Sequence, residues 1–216
     1  MRGSDLPARS PHPISKGTIA PPAELNSLLP EELPLGGIGV VSAAPGHGGS
    51  SLCYRILAAG NEAGGYAALL DPRGNAMPAA LLESGVWPDR FVLVRIRDLD
   101  APRGILLRGL GALLDGFSLV GILDPQLLKN VPWRRVAARA RERRVLAVVV
   151  GDGAGDASPL FRMDLSEPQW ERDSGGLLSG RSVWVAVSGY GHPRGERIHL
   201  GGSASEGIDG RPGCFT

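Results

Sequence analysis

The chain has 216 residues, 43% of them hydrophobic and 21% charged, and a formal net charge of +1. That is enough apolar material for one domain with a sizeable core, and a charge so near zero excludes a global pull toward nucleic acid or a membrane surface. The two cysteines, Cys53 and Cys214, have no paired spacing, which excludes a disulfide framework and fits a reducing cytoplasm.

Residues 1–22 are rich in Pro, Ser and Gly and read as a flexible arm. They lack the apolar stretch of a secretory signal, and no run reaches the ~18 apolar residues that span a bilayer, so the expectation is a cytoplasmic chain without membrane contact. Residues 23–37 give a short amphipathic element and a turn, with Glu31 and Glu32 on a solvated edge. A strand-then-helix rhythm follows. Strands are predicted at 38–42, 66–70, 90–96, 118–123 and 145–150. Helices are predicted at 50–63, 77–84, 102–114 and 132–144.

The strands are continuous apolar runs, and helices lie between them. That pattern predicts an α/β fold with a mostly parallel sheet flanked by helices. After residue 151 the rhythm changes. Segments 160–165 and 183–188 alternate, and 197–200 reads as an edge strand, so an antiparallel extension is expected on the C-terminal side. The domain plan is an arm at 1–22, one domain at 23–200 and a disordered Gly- and Ser-rich tail at 201–216.

In such sheets ligands sit beyond the carboxyl ends of the strands. The first strand runs into APGHGGSS, which reads as a phosphate loop with Ala44 at the first Gly position, followed by Gly46, Gly48 and Gly49. Ser50 occupies the Lys position and Ser51 the Ser/Thr position. The hydroxyls and glycines remain and the ammonium is gone; His47 is no substitute for it. Asp71 follows the second strand. Asp124 follows the fourth, where a carboxylate that organises Mg²⁺ would stand; the alternative is a turn residue before Pro125.

The segment LPEELPLGGIGVVSAAPGHGGSSLCYRILAA resembles the opening of the RecA recombinase core. The resemblance continues through GGYAALLDPRGNAMPAALLESGV, DRFVLVRIRD and GFSLVGILDP, and covers residues 28–200. With FRMDLSEPQWERDSGGLLSGRSVWVAVSGYGHPRGERIHL the chain is most similar to ImuA-type proteins, especially the actinobacterial form. The resemblance implies a RecA-like core and a place in SOS-induced translesion synthesis. It also implies protein partners: RecA, an ImuB-like polymerase homologue and, indirectly, an error-prone polymerase and the sliding clamp. Contact with DNA is left open.

Two departures stand out. Ser50 replaces the lysine, and Arg73 stands where the family carries its catalytic glutamate; a cation cannot serve as general base. The long DNA-binding loops of RecA are missing. The expectation is therefore a non-catalytic interaction module with a vestigial loop and no cofactor. A divergent NTPase and a SulA-like cell-division inhibitor are the alternatives. Further along, Arg134, Arg135, Arg139, Arg143 and Arg144 form a solvated helix face or a basic interaction surface. The four tryptophans read as core or partly covered anchors. His12, His47, His192 and His199 have no metal spacing, and no metal site is expected.

Overall fold

The computed structural model describes residues 14, 17–96, 103–128, 131–154, 157–191 and 193–200. The rest of the arm, the tail at 201–216, His12, His192 and Cys214 lie outside the described residues.

An eight-stranded sheet organises the chain. In sequence order its strands are β3 (Gly37–Ala43), β4 (Ala67–Asp71), β5 (Phe91–Arg95), β6 (Leu119–Leu123), β7 (Leu146–Val150), β8 (Phe161–Arg172), β9 (Leu178–Ser188) and β10 (Arg194–His199). The spatial order is β10-β9-β8-β3-β7-β6-β4-β5. The strand that leads into the glycine loop is thus central, with β7 and β8 both parallel to it. Every residue of β4 and β6 is buried, as continuous apolar runs between helix layers require.

Helices α1 (Gly49–Glu62) and α2 (Pro78–Glu83) cover one face, and α3 (Arg103–Gly116) and α4 (Trp133–Arg143) the other. The expected parallel core and flanking helices are all present, within one or two residues at most boundaries. Among the described residues no helix is long and apolar enough to cross a membrane.

Two differences are informative. The antiparallel extension begins one strand later than expected: β8 runs parallel to β3, and only β9 reverses direction against it. Gly39 permits this pairing, because a Cβ there would sit 2.1 Å from the Phe161 ring, which fills the space instead. The packed fold also begins before residue 23. Strand β1 (Thr18–Ile19) pairs antiparallel with β2 (Leu33–Pro34), and Ile19 is buried with Leu25, Leu28 and Leu29 in the α1-side core.

Candidate functional site

Strand β3 delivers the chain into a turn, His47 N–H to Ala44 O at 3.0 Å, and Gly48 then caps the N-terminus of α1. Gly46 and Gly48 both have positive φ, 85° and 92°, which an L side chain resists. Ala44, Gly46, Gly48, Gly49 and Ser50 line a cleft of about 1070 Å³ at the carboxyl ends of the parallel strands. Ser51, in the first turn of α1, does not line it. The glycine turn thus leads from β3 into α1 and opens on a cavity.

The residues around it are tied into local contacts. Ser50 is exposed and its hydroxyl hydrogen-bonds Tyr54 one turn along α1. Burial, with smaller contributions from Cys53 and Asp71, pushes the Tyr54 phenol up to about 12, so it stays protonated. Asp71 is fully buried at the end of β4 and accepts the N–H groups of Gly74 (3.0 Å) and Ala76 (2.7 Å). It shapes the turn and does not face the cleft.

Asp124 does face it, in a left-handed conformation at φ 47°. Its two oxygens are taken: Oδ2 lies 3.3 Å from Arg73 Nε, and Oδ1 accepts the Gln126 amide at 3.0 Å. The structure thus pairs the acid and the arginine that the sequence singled out separately. Asp152 lines the same cleft and accepts the Ser42 hydroxyl at 3.3 Å. Among the described residues no group of three His, Cys, Asp or Glu side chains could hold a metal ion.

One residue that contacts the loop escaped sequence reasoning. Arg181, on β9, reaches over the loop from 130 residues downstream. It donates from Nη1 to Gly46 O at 3.0 Å and from Nη2 to Ser51 Oγ at 2.7 Å. Trp170, its direct partner across the β8–β9 ladder, holds the guanidinium 5.3 Å from its ring. The Nε is buried with no hydrogen-bond partner, and desolvation lowers the pKa of the group. Its only trace in the sequence is the Gly180-Arg181 pair beside a strand; nothing local announces the distant loop. His47, in the loop, lies 3.3 Å through Nδ1 from Leu165 O on β8.

Arg134, Arg135, Arg139 and Arg143 lie on α4 and Arg144 just past its end, and none of the five lines the cleft. Arg139 and Arg143 instead converge on Asp115 of α3, at 3.1 and 3.0 Å through their Nε atoms.

Comparison with curated proteins returns no match. A family model does match, over residues 27–155, a stretch that holds the glycine loop, Arg73, Asp124 and the arginines of α4 but stops short of Arg181. With well over half of its length in that match, the chain belongs to the MT3502 N-terminal domain family.

Proposed function

We propose that the chain is a non-catalytic, RecA-like accessory factor of the ImuA type. In this reading it works in SOS-induced translesion synthesis through contacts with RecA and an ImuB-like polymerase homologue. The observation that carries the non-catalytic part is the Arg73–Asp124 pair in the cleft. A hydrolytic site needs a carboxylate free for Mg²⁺ and a base free for water. Here the residue at the base position neutralises the residue at the metal position. A glycine loop on the central strand of a parallel sheet supports the RecA-like part; the pathway and the partners rest on the resemblance of the sequence.

Two experiments test this reading. Phosphate release from ATP, with and without single-stranded DNA, is expected at background for the wild-type chain. It is also expected at background for Ser50→Lys, which restores a cation to the phosphates but no base. Turnover abolished by Asp124→Ala would overturn the non-catalytic reading. Co-purification with RecA and the polymerase homologue from DNA-damaged cells tests the partners, and absence of both would overturn that part.

Arg181 favours one second reading, a divergent NTPase in which this guanidinium replaces the loop lysine. It predicts ATP binding that is lost in Arg181→Ala, measured by calorimetry; the main reading predicts no binding in either protein.

A further inference from the structure

We propose that the α3–α4 face is a docking surface for an acidic helical segment of a partner protein, read by the arginine stripe Arg135, Arg139 and Arg143. These residues follow one another at four-residue intervals, so their Cα atoms step along one side of α4 by about 6 Å. The opposite side, Trp133, Val136, Ala137 and Ala140, is buried against the sheet. The stripe lies toward α3, where Arg139 Nε would stand 3.9 Å from a Cβ placed on Gly111. Arg108 sits one turn before Gly111 on the same helix side and adds a fourth cation. Against these four stand Asp115, shared between Arg139 and Arg143, and the exposed Glu142 of α4, whose charge also acts on Arg139.

Three observations choose the partner. Asp115 shows that the stripe is already set for carboxylates, since the Arg139 fork grips both of its oxygens. A helix with Glu or Asp at every fourth position repeats the same step as the stripe, so its carboxylates meet the guanidinia one for one. A nucleic acid strand fits less well. The stripe is only three arginines long, Asp115 stands in its path, and no exposed aromatic among the described residues lies on α3 or α4 for bases to stack on. Ile105, half exposed on α3, offers the kind of apolar contact that protein interfaces use. The proposal does not depend on the state of the glycine loop.

The test uses the full chain and three labelled probes in fluorescence anisotropy. Two are helical Glu/Ala/Leu peptides of equal composition, one with Glu at every fourth position and one with Glu scattered around the helix. The third is a single-stranded oligonucleotide of equal charge. The striped peptide is expected to bind several-fold tighter than the scattered one, with affinity that falls as salt rises. Arg135→Glu should weaken it by roughly tenfold or more. Asp115→Asn should tighten it several-fold by releasing two guanidinia, an effect that a purely structural Asp115 would not produce. Should Asp115→Asn fail to fold by circular dichroism, Arg135→Glu decides alone, because Arg135 is exposed on the helix surface. Equal binding of the two peptides, or unchanged affinity in Arg135→Glu, overturns the proposal. Tighter binding of the oligonucleotide than of either peptide overturns it in favour of a nucleic acid surface.

Discussion

Two glycines of the loop share a left-handed backbone but not a neighbourhood. A Cβ on Gly46 would meet nothing within 4 Å, whereas one on Gly48 would sit 2.5 Å from Leu200 Cδ1 and 3.1 Å from Arg181 Nη2. Gly46→Ala is therefore expected to cost only the conformational strain, about 1 kcal/mol. Gly48→Ala should cost clearly more, because Leu200 must move as well. Urea denaturation of the two variants checks the order. Arg181 completes the same contact. Removing its side chain takes two hydrogen bonds from the loop, and the loss is expected at about 1–2 kcal/mol, discounted because the group is partly exposed. Arg181→Lys should recover only part of it, since a single ammonium nitrogen does not match two guanidinium nitrogens aimed separately at Gly46 O and Ser51 Oγ. Equal stability of Arg181→Ala and the wild type would remove Arg181 from the loop's support. Loop chemistry of this sort is local in its glycines and therefore legible in the sequence. The distant guanidinium that closes the loop is not.

At the level of elements, the apolar runs announced β3, β4, β6 and β7 almost to the residue, because each is buried on both faces. The ribbon formed by the distal halves of β8 and β9 was hidden. Its outer residues 171–179 are exposed, so no burial pattern marks them. Glu167-Pro168 also interrupts the strand at a register shift between Ser166 and Gln169, with Glu167 at φ 49°. Asp173 closes the turn by accepting the N–H groups of Gly175 and Leu177. The α3–α4 pair shows the converse case: both helices were legible, but not the carboxylate that clamps them. Hydrogen bonding from Arg139 holds the Asp115 carboxyl below the ordinary carboxylate range. A depressed folded pKa stabilises above the unfolded value of ~4, and the contribution disappears as pH falls through the folded value. The stability difference between wild type and Asp115→Asn should thus be constant from pH 5 to 8 and shrink as pH falls below roughly 4. Chemical denaturation across that range measures it. A difference that grows in acid would show that Asp115 acts by something other than its charge.

The whole molecule is held by two cores, one on each side of the sheet, and the C-terminal segment serves them unequally. The α3–α4 core draws its strand residues from β3, β4, β6 and β7. The α1-side core takes Phe161, Met163 and Leu165 from β8 and Val183, Val185 and Val187 from β9, all buried. Strand β8 also pairs along the edge of β3 next to the glycine loop. A chain ended at residue 155, where the family match stops, would lose all of this. Burying each such side chain is worth about 1.5–3 kcal/mol, so the six together are at least comparable to the ~5–15 kcal/mol by which a whole domain is stable. The open edge of β3 would add an unpaired row of backbone groups to a bare apolar face. The family-matched region is therefore expected not to fold cooperatively by itself. Expressed as residues 1–155, it should bind a hydrophobic dye and melt without a sharp transition, while the full chain melts in one. Cys53 gives an independent readout, since burial in α1 pushes its thiol up to about 12 and keeps it unreactive in the packed protein. Site-resolved alkylation should be slow at Cys53 in the full chain and fast in the truncated one. A truncated chain with a sharp melt and a protected Cys53 would show that β8 and β9 dock onto a finished domain; the physical bookkeeping instead makes them part of it.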